Sequence, residues 1–351
     1  MNKPILFFLS LAFLMSLAFT AKADDQRKVQ VAGIAFYNWE NLFDTIPNNP
    51  EGRDEEFTPK GSRQWDGRKY REKVHNLAYA ISQFATKTTP VGPAIIGVSE
   101  IENRSVMEDV VNQPELKKWN LQVVHHDSPD ARGVDVGLLY NPRYFKLENV
   151  TNHRLTAISF RTRDQMCVVG KLLGQRIAVI VNHWPSRLGG QEQSEPNRVA
   201  AAELSKSIAD SLWNIDPEIG VIIMGDLNDD PQNKSCAKII GGAREPEGVG
   251  PHGFYNPWWK KLDSGVGTLA YQSAWNLFDQ IMVSGNLVND VPQGKWQFYE
   301  AKVLNFDFLK DTEGNRVGYP KRTYASGSYL GGYSDHFPTE IFLRRYVTVK
   351  K

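Results

Sequence analysis

Near the end of the chain, Tyr333-Ser334-Asp335-His336-Phe337-Pro338 sets an acid beside an imidazole, behind a Gly-rich turn. Asp226-Leu227-Asn228, His183 and Glu100 each follow a short apolar run that reads as a buried strand. Carboxylates bind hard cations, imidazoles transfer protons and an amide can hold a phosphate oxygen, so the set suits metal-dependent chemistry on phosphate esters.

Each piece also has a plain structural reading. The run Ala32 to Tyr37 delivers Asn38 and Glu40 to a sheet edge, where they could simply form a polar turn. Glu100 follows Ala94-Ile95-Ile96-Gly97-Val98-Ser99, and a carboxylate there is costly unless it is paired or bound to a cation. A helix N-terminus could equally use Glu100 or Glu102. Val179-Ile180-Val181 leads into Asn182-His183-Trp184-Pro185-Ser186-Arg187, where Ser186 and Arg187 are ordinary phosphate contacts. Alternation puts Asp226 and Asn228 on one side of their strand end, and Gly225 permits close backbone approach. Asp, Asn and Pro are also what turns use. Asp279 opens an apolar strand, a good position for holding a catalytic imidazole in one tautomer. The short matches gain weight from occurring together.

Eight apolar runs predict strands: Val29 to Tyr37, Ala94 to Val98, Leu121 to Val124, Val134 to Tyr140, Met166 to Leu173, Ile177 to Val181, Val221 to Met224 and Phe278 to Val283. Helices are expected over Arg68 to Phe84, from an N-cap at Ser105 through Val111, and from Pro196 as first residue to about Leu212. Strands outnumber helices, which favours two packed sheets flanked by helices over a doubly wound parallel sheet. Asn41 to Gln64 is a long polar segment, suited to a functional lid or a mobile loop.

Lys3, the apolar stretch Ile5 to Phe19 and the small residues around Ala23 read as a signal peptide over 1–23, with export to a periplasm or the outside. One domain over 24–351 is the simplest division, since no Gly/Ser-rich or Pro-rich linker and no repeat interrupts it. The apolar leader is short for a membrane span, so no stable membrane association is expected. Of 41 basic residues Lys3 and Lys22 leave with the leader, giving 39 against 40 acidic and a formal charge of −1. That balance excludes a purely electrostatic nucleic-acid binder but leaves room for a local basic track. Cys167 and Cys236 could pair or stay as free buried thiols.

From Asn38 to His336 the chain resembles the endonuclease/exonuclease/phosphatase superfamily, on the strength of Gly225-Asp226-Leu227-Asn228 and Ser334-Asp335-His336 above all. The resemblance implies a DNase-I-like fold: an α/β (α+β) four-layer sandwich of two packed β-sheets flanked by helices, with the site at one edge of both sheets. It implies Mg²⁺, with Mn²⁺ or Ca²⁺ as alternatives, on Glu100 with help from Asp335, Glu40 or Asn38. It also implies catalytic roles for His183, Asp226, Asn228, Asp279 and His336, and substrate contacts from Asn38 and Asn228, beside Ser186 and Arg187, whose residue types suggest phosphate contacts on their own. Asn41-Leu42-Phe43-Asp44, Glu56-Phe57-Thr58-Pro59 and the segment from Asn182 to Arg187 resemble a secreted, nuclease-like bacterial branch. Two departures stand out: Glu40 where Asp or Asn is common, and Gln280 after Asp279 where His or Tyr is frequent.

The expected protein is a monomeric phosphodiesterase acting on nucleic acid. Arg161, Arg163, Arg187, Arg198, Lys321 and Arg322 offer charge, and Trp184, Tyr324 and Tyr333 offer stacking or core packing. A sphingomyelinase-like enzyme, or a phosphatase on small phosphates, is the alternative. Trp258-Trp259 is the one candidate for a bilayer-contacting hairpin, and a packed pair is its plainer reading. A non-catalytic binding module on the same fold would lack some of these acids, amides and imidazoles, and all are present.

Overall fold

Alternation along β1 (Arg27–Leu42) sends Ala32, Ile34 and Phe36 to one face and Ala35, Tyr37 and Trp39 to the other, and both sets are buried. A strand covered on both faces must lie inside a layered structure. The computed structural model describes residues 27–49 and 51–348, so the leader expected at 1–23 lies outside the described residues.

One sheet has the order β14 (Gln297–Val303), β17 (Thr339–Thr348), β1, β2 (Ile95–Ile101), β4 (Asp135–Tyr140), β3 (Gln122–His125). The second runs β5 (Phe145–His153), β6 (Gln165–Leu172), β7 (Gln175–His183), β8 (Gly220–Asp226), β13 (Asp279–Ser284), β10 (Phe254–Tyr255), β9 (Gly242–Ala243). Two hairpins, β11 (Leu269–Tyr271) with β12 (Ala274–Asn276) and β15 (Tyr324–Ala325) with β16 (Ser328–Tyr329), stand apart. Both sheets are mixed, with β1 parallel to β2 and β7 parallel to β8.

Three apolar cores separate four layers. Ile34, Phe36, Val179, Met224 and Ile281 meet between the sheets. Helices α1 (Gly67–Ser82), α2 (Arg104–Val111) and α3 (Pro114–Lys117) close the outer face of the first sheet with Leu77, Ile81, Met107 and Leu116. Helix α4 (Gln191–Ile215) covers the second sheet with Ala202, Ile208 and Trp213. Full burial of each large side chain contributes about 1.5–3 kcal/mol. A short helix, α5 (Trp259–Asp263), follows β10.

The structure corrects several local expectations. Asn103, rather than Ser105, caps α2, its side chain accepting from the Val106 amide at 3.1 Å. Helix α4 starts at Gln191, so Pro196 lies inside it, where the ring removes only one backbone bond close to the N-terminus. Strands β5, β14 and β17 were not anticipated. Cys167 and Cys236 are separate free thiols buried in the core beneath α4, so there is no disulfide. Among the described residues no helix is long and apolar enough to cross a membrane.

Candidate active site

Parallel strands β1, β2, β7 and β8 end at the same edge, where antiparallel β13 and β17 begin. Register makes the second sheet's contribution a row: His183 pairs with Asp226, and Asp226 with Asp279. Adjacent strands lie about 4.8 Å apart, so these side chains are forced together. Gly225 is what lets β8 run so close to β7, since a Cβ there would lie 2.2 Å from the Asn182 carbonyl oxygen.

His336 reaches this row from the loop before β17, and its Nδ1 lies 2.7 Å from Asp279 Oδ2. Ser334 sets the loop, its hydroxyl donating to the Asn38 carbonyl at 2.7 Å and accepting from the His336 amide at 3.1 Å. His336 Nε2 then faces Asp226 at 3.9 Å and Asp335 at 4.0 Å. Asp226 accepts from the Asn228 amide at 3.0 Å and from Asn38 Nδ2 at 3.1 Å. His183 Nε2 lies 3.6 Å from Asp226 and 3.7 Å from Glu100. Near contacts therefore run unbroken from Glu100 through His183, Asp226 and His336 to Asp335. Asn228 donates to the Trp184 carbonyl at 3.0 Å, which fixes its amide beside the row.

The two imidazoles are driven in opposite directions. Burial, together with the positive charges of Arg163, Arg132 and His336, holds His183 well below its ordinary value, so it is neutral. Burial would also lower His336, but Asp279, Asp226 and Asp335 outweigh it and carry that group well above the usual range. Burial pushes Asp226 up to about 6 despite the pull of His336.

The first sheet contributes Asn38, Glu40 and Glu100. Bulges interrupt β1 after Asn38 and β2 after Ser99. There Glu40, Asn41 and Glu100 take φ of 46°, 52° and 59°, and Asn228 on the second sheet takes 50°. Left-handed backbone costs about 1–3 kcal/mol per non-glycine residue, less for Asn, and at these four positions it turns the chain at the edge where the acids and amides gather. Glu100 Oε2 accepts from the Asn41 amide at 3.0 Å, while Oε1 lies 3.2 Å from Arg132. Asp335 is paired with Arg322 at 2.5 Å. Burial would raise Asp335, but His336, Arg322 and Lys73 outweigh it and hold the carboxyl low.

Glu100 and Asp335 supply partly exposed carboxylate oxygens at the mouth of the site, a donor set suited to a hard divalent cation. Glu40, expected to help, is taken up otherwise: Thr323 N donates to it at 2.6 Å, buried Lys73 lies at 3.7 Å and Arg322 at 3.4 Å. Asn38 Oδ1 accepts from the Glu40 amide at 2.8 Å, so this Asn braces Asp226 through its other atom.

Other sequence expectations need correction. Arg187, expected on phosphate, turns inward to the Asn228 carbonyl at 2.9 Å and to Asp229 and Asp230 at 3.2 Å, and lies over the Phe278 ring. Ser186 is exposed, and its carbonyl accepts from Arg198 at 3.3 Å. Arg198 is itself buried against Asp229 at 2.7 Å. Arg161 pairs with Glu51, and Arg163 is buried against Asp130 and the carbonyls of His183 and Trp184. Of the basic residues singled out in the sequence, Arg322 is the one whose guanidinium meets the acids of the site. Trp184 is core. Gln280 is a buried strut, donating to the Asp229 carbonyl at 2.6 Å. Sequence reasoning missed Arg132, whose only signal was its place in a turn just before β4.

A second acid and imidazole group lies nearby. His125 Nε2 is 3.0 Å from Asp135, which also accepts from Ser128, beside a cavity of about 990 Å³ shared with His126, Arg154 and Arg161.

A model of the Endonuclease/Exonuclease/phosphatase family matches residues 33–345. No curated protein matches the chain. Among solved structures, humanized D. rerio TDP2 is 12% identical, covering 89% of this chain and 98% of its own at a TM-score of 0.55. An endonuclease/exonuclease/phosphatase family protein from Bacteroides thetaiotaomicron is 17% identical, with 91% and 99% covered and a TM-score of 0.51. A mannosyl-6-phosphatase from the same organism is 16% identical, with 89% and 99% covered and a TM-score of 0.52. These neighbours share the fold, a DNase-I-like α/β sandwich. With nearly its whole described length matched by the family model, the chain belongs to the endonuclease/exonuclease/phosphatase family.

Proposed function

We propose that this protein is a divalent-metal-dependent phosphodiesterase acting on nucleic acid, exported after cleavage near Ala23. The observation that carries the reaction class is the row His183, Asp226, Asp279 with His336 at 2.7 Å from Asp279, faced by Glu100 and Asp335 from the other sheet. A cation held by Glu100 and Asp335 would offset charge developing at the phosphorus. Asp226, a carboxylate pushed up to about 6, is basic enough near neutrality to accept a proton from an attacking water. His336, kept protonated by its acids, donates to a non-bridging phosphate oxygen. Asn228 presents its amide on the same side, and as the water oxygen bonds to phosphorus the opposite P–O bond breaks, its leaving oxygen taking a proton from solvent, while neutral His183 lines the path toward Glu100.

Nucleic acid is favoured over lipid because Trp258 and Trp259 are both tied inward, their indoles donating to the carbonyls of Ile281 and Gly242 at 3.0 Å. No exposed Trp pair is then left for a bilayer. A neighbour in fold, D. rerio TDP2, was solved with a single-strand DNA product. The mannosyl-6-phosphatase neighbour keeps a phosphatase activity as the competing reading.

The test is hydrolysis of bis-p-nitrophenyl phosphate, expected to stop with EDTA and return with Mg²⁺. Activity indifferent to EDTA, or none under any cation, would sink the reaction class. Plasmid nicking compared with cleavage of sphingomyelin and of sugar phosphates at equal enzyme then decides the substrate, with nicking expected to be fastest.

A further inference from the structure

We infer that Arg132 and Arg322 are placeholder cations, which neutralise Glu100 and Asp335 until a divalent ion binds and then serve as phosphate-binding donors. The inference rests on the reading of those two acids as cation ligands. Each arginine caps a different one: Arg132 lies 3.2 Å from Glu100 Oε1 and Arg322 2.5 Å from Asp335 Oδ2. Unlike buried Arg163 and Arg198, both remain open to solvent, at 46% and 35% exposure.

Each also springs from a braced base. The Arg132 amide donates to Asp130 Oδ1 at 2.8 Å, and the other oxygen of Asp130 is held by Arg163 at 3.0 Å. Arg163 in turn grips the carbonyls of His183 and Trp184 at the end of β7. On the opposite side, the residue after Arg322 is pinned through its amide to Glu40 at 2.6 Å. Backbone position is thus fixed relative to the catalytic row, while each guanidinium, partly exposed, has one further contact to give up on turning: Arg132 with Asn41 Oδ1 at 2.5 Å and Arg322 with Glu40 Oε1 at 3.4 Å.

A guanidinium and a divalent ion cannot share one carboxylate oxygen without repelling each other. Cation entry therefore releases the forks at the mouth of the site, where a planar set of N–H donors matches a phosphate. Beside Arg132 a cavity of about 380 Å³, also lined by Arg63 and Phe57, gives the released side chain and a neighbouring nucleotide room.

Calorimetric titration of the full chain with Mn²⁺ alone, in Arg132→Gln and Arg322→Gln, reads the first half of the inference. Each variant should bind the ion about threefold to fivefold tighter than wild type, the scale of losing one exposed competing ion pair. Arg176→Gln, which removes the same charge far from these acids, controls for net charge. At saturating Mg²⁺, kcat/KM on a short oligonucleotide should fall about tenfold or more in the two site variants. Arg132→Lys should restore wild-type Mn²⁺ affinity without restoring turnover, since it keeps the charge and loses the fork. Weaker or unchanged ion affinity would make the arginines mere holders of the acids, and undiminished oligonucleotide turnover would remove the donor role; either result overturns the inference. Wild-type protein that binds no divalent ion would instead bring down the cation reading beneath it.

Discussion

The two sheets bring unlike halves to one edge. The second sheet offers buried groups: Asp279 holds His336, which reaches it from the loop before β17, and Asp226 holds the Asn228 amide, while His183 Nδ1 and Asp279 Oδ1 have no hydrogen-bond partner. The first sheet and the loops against it offer partly exposed acids, each matched by an arginine that water can also reach. A proton-transfer half must be dry and fixed, because its value lies in tuned affinities and exact tautomers. A cation-binding half must stay open, because its ligand arrives from solvent. On the proposed function, the difference between the halves is a division of labour.

His336→Ala removes the imidazole on which the buried half converges, and turnover with Mg²⁺ present should fall by about 10²- to 10⁴-fold. A steady-state rate near wild type on every phosphodiester tried would erase the distinction between the halves. Asp229→Ala tests the frame beneath the same half. It leaves Arg198 buried without its carboxylate at 2.7 Å, and urea unfolding should show a loss of about 3–5 kcal/mol. A loss below about 1 kcal/mol would mean that the loop after β8 is held by other means.

Glu340 on β17 sharpens the contrast from the opposite side. It is a buried acid of the first sheet with neither oxygen partnered, and burial pushes it well above the usual carboxylate range. Because the folded state then holds the proton more tightly than the unfolded one, its contribution to stability declines as pH rises from the unfolded value of about 4.3 toward the folded one, by up to about 1.4 kcal/mol per pH unit. Glu340→Gln should flatten that decline, so melting temperatures of variant and wild type should converge near pH 4 and separate by pH 8, the variant higher. Parallel profiles would show that something in the fold compensates the charge.

Much of the buried half could be read from the sequence, and for a physical reason. His183 and Asp226 follow apolar runs, as does Glu100 of the open half, and a polar group at the end of a buried strand needs an explanation that a surface residue does not. Arg132 gave no such signal, because an arginine in a polar turn is ordinary until a tertiary contact places it on Glu100. Arg187 misled in the opposite way: residue type suggested phosphate, while direction, which sequence does not carry, aims it at Asp229 and Asp230. Edge strands β5 and β14 escaped because half their side chains meet water and no apolar run forms. Strand β17 is central, yet Arg344 and Arg345 interrupt its apolar stretch.

Diffraction from Mn²⁺-soaked crystals at the manganese edge tests the division most directly. The anomalous peak should lie against Glu100 and Asp335, with Arg132 and Arg322 turned away from them. A peak held instead by Asp226, Asp279 and His336, which are close enough together to bind an ion, would contradict it by placing the metal in the half assigned to proton transfer.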